Sequence, residues 1–190
     1  MFKYDVRDYV KIYDKCFDES FCNNSVQYLN QQTWIKSMMV DYNNNEVPND
    51  NELSVLYNDS SIFTEHITNF IREAVSRYIL TDFKEYGKWF AGWNNYRLPK
   101  YNRYDVNTEM TVHCDHIHGL FDGKNKGIPI LSVLGSLNND YEGGEFIMFN
   151  EYDIKLKAGQ IMVFPSNFIY PHKVLPVKSG VRYTFVSWVW

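Results

Sequence analysis

Apolar residues recur every three or four positions through much of the first half of the chain, residues 6–86, and this spacing predicts helices. The stronger helix would begin after a cap at Asp59 or Ser60. Its apolar residues form one stripe, which we expect to pack against a flat surface. The stripe comprises Ile62, Phe63, His66, Ile67, Phe70, Ile71, Ala74, Val75 and Tyr78.

A shorter helix is predicted before it, with Ser20 or Asn24 as its cap. Residues 41–51, between the two helices, are rich in Asn and almost without apolar side chains, which is typical of a mobile loop. The apolar residues of the shorter helical segment are Val26, Leu29 and Trp34.

The pattern changes after Lys88 to short apolar or alternating runs separated by Gly, Asn, Asp and Pro. About eight short strands without a helix between them predict an antiparallel sandwich or barrel. Helices followed by strands indicate a mainly β fold with N-terminal α structure, of the α+β class. The runs cover 89–98, 106–113, 128–137, 144–149, 153–157, 160–164, 172–175 and 181–190.

The composition supports a folded chain of one domain. Its 190 residues are 45% hydrophobic and 17% aromatic, and a disordered chain would contain fewer such side chains. A chain of this length builds one core. We therefore expect a single domain over 1–190, in which helical residues 1–87 cover a strand core formed by 88–190.

Charge and cysteine content bear on the partners and the compartment. The net charge of −4 and the lack of a Lys/Arg cluster argue against nucleic acid as a partner. No apolar run approaches the roughly 18 residues of a membrane span, and the N-terminus lacks the apolar core of a secretory signal. The three cysteines indicate neither a disulfide framework nor a zinc ribbon. We expect a cytoplasmic protein that binds no membrane.

Candidate metal ligands stand in the strand region. His113 and Asp115 end a strand-like run, where alternate residues point to the same side and can meet one cation. His172, at the start of a later run, could complete the set. Two histidines and a carboxylate form the facial triad that holds non-haem Fe(II) and leaves other positions open. Arg182 follows in an almost wholly apolar strand, where a guanidinium needs an anionic partner such as a carboxylate.

The order of these features is more specific than any one of them. A His-x-Asp at a strand end is followed by a Gly-rich hairpin, a distal His and an Arg ten residues later. With this order, residues 96–190, half of the chain, resemble the Fe(II)- and 2-oxoglutarate-dependent dioxygenases, specifically their prolyl-4-hydroxylase-like branch. The segment LNNDYEGGEF, residues 137–146, is similar to the Leu-Asn-x-x-Tyr-x-Gly-Gly-Glu hairpin of that family.

The stretch before the first His also resembles the family, with two departures. Tyr104 stands nine residues before His113, as in the family run Tyr-x-x-Gly-x-x-Tyr-x-x-His-x-Asp. Asn107 replaces the Gly of that run, and Met110 replaces its second Tyr. Met110 therefore lacks a hydroxyl that could contact the substrate or co-substrate.

The resemblance implies a double-stranded β-helix, or jelly-roll, core with the N-terminal helices packed on its larger sheet. It implies that the two histidines and the aspartate are catalytic and hold Fe(II), with 2-oxoglutarate and O2 as co-substrates and ascorbate as a further candidate cofactor. The distal carboxylate of 2-oxoglutarate would be bound by Arg182, helped by Tyr104 and Thr184.

Other interpretations of these residues stay open. The two histidines and the aspartate could form a structural hydrogen-bonding trio or bind another divalent metal. Arg182 could pair with Glu145 or Asp153 for a purely structural reason. His116 and His118 extend the run to HCDHIH, and we expect them on a loop over the site rather than among the ligands.

The resemblance further implies hydroxylation of an unactivated C–H with release of succinate and CO2. The prolyl-4-hydroxylase-like branch suggests a prolyl residue in a peptide or protein as substrate. Residues 41–51 and 116–127 could close over such an extended chain. Two alternatives remain: a hydroxylase of a free amino acid or another small metabolite, and a non-catalytic jelly-roll metal-binding module. The oligomeric state stays open.

Overall fold

The computed structural model of the protein describes residues 5–40, 46–47, 50–57, 59–90, 97–115 and 129–190, with the backbone alone at 39–40 and 46–47. Several predicted features lie wholly or largely outside these residues. They are the loops at 41–51 and 116–127, the strand at 89–98, and His116 and His118.

The two longer helices each begin at a capping side chain. Helix α1 (Glu19–Leu29) follows Asp18, whose carboxylate accepts a hydrogen bond from the Phe21 N–H at 2.7 Å. Helix α2 (Ile62–Arg77) follows Ser61, whose hydroxyl accepts from the Thr64 N–H. The caps predicted from the sequence were therefore wrong, because only these two side chains reach a free N–H of the first turn. The other helical segments are a 3-10 turn (Val6–Tyr9), a π-helical turn (Tyr78–Asp82) and α3 (Lys84–Gly87).

Within the described residues, no helix is both long enough and apolar enough to cross a membrane.

The strands among the described residues are β1 (Lys11–Tyr13), β2 (Ile35–Lys36), β3 (Met39–Val40), β4 (Glu46–Val47), β5 (Ser54–Leu56), β6 (Lys100–Tyr104), β7 (Met110–His113), β8 (Leu131–Ser136), β9 (Tyr141–Gly143), β10 (Phe146–Met148), β11 (Tyr152–Ile154), β12 (Ile161–Pro165), β13 (His172–Val174), β14 (Val177–Gly180) and β15 (Arg182–Val189).

Two antiparallel sheets form the body of the protein. The larger has seven strands in the order β1-β12-β8-β15-β6-β5-β2, and the smaller has four in the order β11-β10-β13-β7. Their inner faces share an apolar core, with Leu134, Phe164 and Val186 from the larger sheet and Phe146 and Val174 from the smaller. This sandwich confirms the predicted jelly-roll class. The pairs β14-β9 and β3-β4 complete the strand pairing.

The outer face of the seven-stranded sheet is covered by α2. Buried Ile67, Ile71 and Val75 of the helix belong to one core cluster with Val133 of β8 and Phe185 of β15. The predicted packing of an N-terminal helix on the larger sheet is therefore confirmed.

The first half of the chain also contributes strands, which its interpretation as purely helical missed. Strand β1 pairs with β12 at one edge of the seven-stranded sheet, and β5 and β2 extend the other edge beyond β6. Two or three residues are too few to show a two-residue period, so pairing with a neighbour defines these strands. Strand β6 was missed as well, because its sequence KYNRY contains no apolar run.

We predict that Ile67→Ala lowers the free energy of unfolding by about 2–5 kcal/mol, since it opens a cavity between α2 and the sheet. Ile67 is fully buried, whereas Ile62 of the same helix, which the sequence placed on the same stripe, is 58% exposed. Ile62→Ala is the matched control and should stay within about 0.5 kcal/mol of the unmodified protein in urea denaturation. Equal losses for the two variants would contradict this orientation of the helix.

Candidate active site

The inner face of the seven-stranded sheet carries a row of polar and aromatic side chains. On β15, the two-residue period places Arg182, Thr184, Val186 and Trp188 on this face. Arg182 and Trp188 line a cavity between the two sheets. The residues that face this row across the strand pairs are Tyr104, Asn102 and Lys100 on β6 and Ser136, Leu134 and Ser132 on β8.

His113, Asp115 and His172 meet beside this cavity. His113 ends β7 and His172 begins β13, and the pairing of these strands places the two histidines directly opposite each other. Asp115 Oδ1 lies 3.4 Å from His113 Nε2 and 3.7 Å from His172 Nε2. One ligand atom of each residue lies within 4.8 Å of the other two. The structure thus brings the three predicted ligands together, so that a single cation could contact all three.

Backbone carbonyls orient both imidazole rings. His113 Nδ1 lies 2.9 Å from the carbonyl oxygen of Thr111, and His172 Nδ1 lies 3.1 Å from that of Tyr170. Because a carbonyl only accepts, each Nδ1 carries the proton and donates it. Each Nε2 therefore keeps its lone pair on the side of Asp115, which is the arrangement found in metal-binding histidines.

Asp115 is ionised and held in place by a serine pair. Ser132 donates a hydrogen bond to Asp115, and its hydroxyl lies 2.7 Å from that of Ser166. Burial acts to raise the pKa of Asp115, but His172, His113 and the Ser132 hydrogen bond together hold it well below its usual range. Burial, assisted by His113, lowers the pKa of His172 to about 4. A carboxylate and a neutral imidazole are the forms that bind metals.

Arg182 is buried, at 2% exposure. Its Nε and Nη1 have no hydrogen-bond partner, and no ion pair within the described residues joins it to Glu145 or Asp153. Its guanidinium carbon lies 4.9 Å from the ring centre of Tyr104 and 5.9 Å from that of Tyr141. A buried guanidinium with unmet donors is costly in free energy until an anion arrives, which favours a carboxylate-binding site.

Two residues with positive φ shape the backbone around Arg182 and ahead of β7. Gly144 has φ +64°, and a Cβ there would lie 3.0 Å from Cδ of Arg182, so the hairpin glycine makes room for the arginine. Asn107 has φ 67°, a conformation that Asn tolerates better than most residues. The replacement of the family glycine at this position therefore keeps the turn.

Tyr104 and Thr184 accompany Arg182 on the inner face. Tyr104 lies directly opposite Arg182 in the strand pair, and its hydroxyl contacts Sδ of Met110 at 3.7 Å. Burial raises the pKa of Tyr104 to about 12, so its phenol stays protonated. Thr184 is fully buried, and its Oγ1 has no partner. These positions are compatible with the predicted co-substrate contacts.

Two polar residues of the cavity, Lys100 and Asn102, were missed by the sequence analysis. Asn102 is 2% exposed with an unpartnered Oδ1, and burial lowers the pKa of Lys100 to about 8. A two-residue period counted back from Tyr104 would have found both, had KYNRY been recognised as a strand.

A sandwich of antiparallel sheets that holds two histidines and a carboxylate at one cavity has the ligand set of the non-haem iron oxygenases. The family model described as "2OG-Fe(II) oxygenase superfamily" matches residues 99–190. The matched region, just under half of the chain, is therefore similar to this superfamily.

Individual relatives are similar to this chain as well. A PKHD-type hydroxylase of Stenotrophomonas maltophilia (strain R551-3) is 34% identical over 99 residues, which are 50% of this chain and 43% of that protein. The chain spans about half the length of the curated relatives it matches.

Solved structures share the fold across nearly the whole chain. The viral collagen prolyl hydroxylase of Paramecium Bursaria Chlorella virus-1 aligns with a TM-score of 0.68 at 17% identity, over 95% of this chain and 94% of that one. A prolyl hydroxylase of Trichoplax adhaerens, solved with a hypoxia inducible factor peptide fragment, aligns with a TM-score of 0.69 at 14% identity, over 96% and 84%. At these identities the alignments establish the common fold.

We predict that Ser132→Ala weakens Mn(II) binding roughly 10–100-fold, because Asp115 loses the hydroxyl that orients it. Isothermal titration calorimetry in the absence of other ligands measures the affinity. Ser179→Ala, at an exposed position of β14, is the control and should bind Mn(II) as the unmodified protein does. An unchanged affinity in Ser132→Ala would show that Asp115 needs no such support.

Proposed function

We propose that the protein is an Fe(II)- and 2-oxoglutarate-dependent dioxygenase that hydroxylates a prolyl residue in a peptide or protein. One observation carries the proposal: a single cavity contains both the cluster of His113, Asp115 and His172 and the buried guanidinium of Arg182, whose Nε and Nη1 have no hydrogen-bond partner among the described residues. A site that binds only a metal has no need of such a cation, whereas 2-oxoglutarate brings a carboxylate for each centre.

The donor set fits Fe(II). Two imidazole nitrogens and one carboxylate oxygen leave positions open for a co-substrate and for O2. Each donor has an outer partner, a backbone carbonyl for each histidine and the Ser132 hydroxyl for the aspartate. His113, Asp115 and His172 would therefore hold the metal.

The other end of the cavity fits 2-oxoglutarate. Arg182 has two free donors, and the Thr184 hydroxyl on the same strand face is also unpartnered. Together with Tyr104 they would bind the distal carboxylate, which satisfies groups that are otherwise buried without partners. When bound, the iron, 2-oxoglutarate and O2 supply the chemistry that converts 2-oxoglutarate to succinate and CO2 and hydroxylates a C–H.

The remaining residues of the cavity position the reactants and exclude water. Leu134, Phe164 and Val186 from the larger sheet and Phe146 and Val174 from the smaller form apolar walls. Such walls strengthen electrostatic interactions with a bound carboxylate and protect reactive species from solvent. By holding one end of the co-substrate, Arg182 would orient the other toward the metal.

A prolyl substrate is supported by the comparisons. Both structural neighbours described above are prolyl hydroxylases, and one was solved with a peptide fragment. The direct test incubates the protein with Fe(II), 2-oxoglutarate, air and proline-containing peptides, and follows succinate and the mass gain of one oxygen on the peptide. Modification of free proline in place of the peptides would overturn the peptide assignment.

We also propose that the protein acts in the cytoplasm. All three cysteines, Cys16, Cys22 and Cys114, carry free thiols, the form that a reducing compartment maintains.

We further propose that ascorbate supports repeated turnover. A comparison of the succinate yield with and without ascorbate tests this role.

His113→Ala should abolish succinate formation, because the remaining two ligands cannot hold the metal in place. His66→Ala is the matched control, since His66 is exposed on α2 outside the cavity, and it should retain full activity. Iron-dependent succinate release by His113→Ala would contradict the ligand assignment.

Arg182→Gln should raise the KM for 2-oxoglutarate at least about tenfold, since hydrogen bonds between charged groups are lost. Arg103→Gln is the control on the same sheet, because Arg103 faces the other side of β6 and pairs with Asp105 at 2.8 Å. Steady-state kinetics of succinate formation measure both, with circular dichroism as the check on folding. An unchanged KM in Arg182→Gln would place the carboxylate elsewhere.

A further inference from the structure

A second cavity, of about 260 Å³, lies next to the proposed metal centre and is called the outer groove here. It shares Lys100, His113, Asp115 and Trp188 with the inner cavity, and Arg97 lines it from the outside. Because two of the three proposed metal ligands, His113 and Asp115, line both cavities, a substrate in the outer groove would reach the reacting centre.

The outer groove is cationic, although the chain as a whole has a net charge of −4. Among its described lining residues, Lys100 and Arg97 are basic. Asp115 is the only acidic side chain among them, and the proposed metal would neutralise it. A local excess of positive charge on an acidic protein favours an anionic ligand at that place.

Lys100 reaches this place from the inner face of the sheet. It lies opposite Val186 in the strand pair, and its Nζ lies 5.3 Å from the ring centre of Trp188. Within the described residues it forms no ion pair with a carboxylate. A partly buried ammonium that packs on a ring and forms no such ion pair can accept an incoming carboxylate.

Arg97 contacts the same aromatic ring. Its guanidinium carbon lies 5.7 Å from the ring centre of Trp188 and 5.8 Å from that of Tyr57. Its backbone is fastened to β15, since Arg97 N–H donates to the carbonyl of Trp188 at 3.0 Å and Ser187 Oγ donates to the carbonyl of Arg97 at 2.5 Å. This backbone attachment limits the entropy lost when an anion binds.

We propose that Lys100 and Arg97 bind a carboxylate of the substrate, so that the peptide accepted by this site is acidic next to the hydroxylated residue. This inference rests on the proposed function and names the substrate class within it. The carboxylate of 2-oxoglutarate nearer the metal is the other source of the same chemistry. It would engage Lys100 alone, because Arg97 lines only the outer groove.

The test compares two fluorescent peptides on the protein loaded with Mn(II) and 2-oxoglutarate without O2. Both contain a central proline, flanked by aspartates in one peptide and by asparagines in the other, so that they differ in charge rather than in shape. Fluorescence polarisation gives the two Kd values. We expect the aspartate peptide to bind roughly tenfold more tightly, and the preference to fall as salt is added.

Variants of Lys100 and Arg97 test whether these two cations cause the preference for the aspartate peptide. Lys100→Met keeps the apolar stem and removes the charge, and together with Arg97→Gln it should bring the ratio of the two Kd values to about one. Lys100→Arg should retain the preference. Lys157→Met removes a charge from an exposed position outside the groove and should leave the ratio unchanged.

Each other outcome overturns the proposal. Equal Kd values in the unmodified protein, or a preference that survives in the double variant, would exclude these cations as the acidic-peptide site. A loss of 2-oxoglutarate affinity in Lys100→Met with an unchanged peptide ratio would assign Lys100 to the co-substrate. Failure of the proposed function is distinguishable, because the protein would then neither bind 2-oxoglutarate by calorimetry nor release succinate, whatever the peptide ratio.

Discussion

The pairing of β15 with β6 on one edge and with β8 on the other determines what the cavity contains. Residues that face each other in antiparallel strands point to the same side of the sheet. Arg182 therefore lies beside Tyr104, and Thr184 beside Asn102, on the inner face. A slip of one residue would turn Arg182 toward the apolar core under α2. Every proposed contact with the co-substrate therefore depends on this register.

A second pairing, of β7 with β13, places the two histidines opposite each other and makes the metal centre possible. The metal centre and Arg182 share one cavity, and among the described residues several polar atoms in or beside it have no hydrogen-bond partner, those of Arg182, Thr184 and Asn102 among them. Leaving such groups unmatched costs free energy of folding. A fold selected for stability alone would replace them with apolar side chains, so their presence favours a ligand that completes them.

Some of this could be predicted from the sequence and some could not. The order of His113, Asp115, His172 and Arg182 along the chain predicted, through its resemblance to a known family, which residues the structure brings to one cavity. A two-residue period alone assigns sides only within one strand. Strands β1, β2 and β5 are too short for any period, and their pairing partners lie far away in the sequence. Lys100 was missed for a related reason, since the two tyrosines of its strand are separated by two polar residues and leave no apolar run.

The most direct test is a crystal structure of the protein grown without O2 in the presence of Mn(II) and 2-oxoglutarate. We expect one metal ion bound by His113, Asp115 and His172, with a 2-oxoglutarate that chelates it and places its distal carboxylate against Arg182. A metal ion bound at other residues, or a 2-oxoglutarate whose distal carboxylate lies away from Arg182, would contradict it.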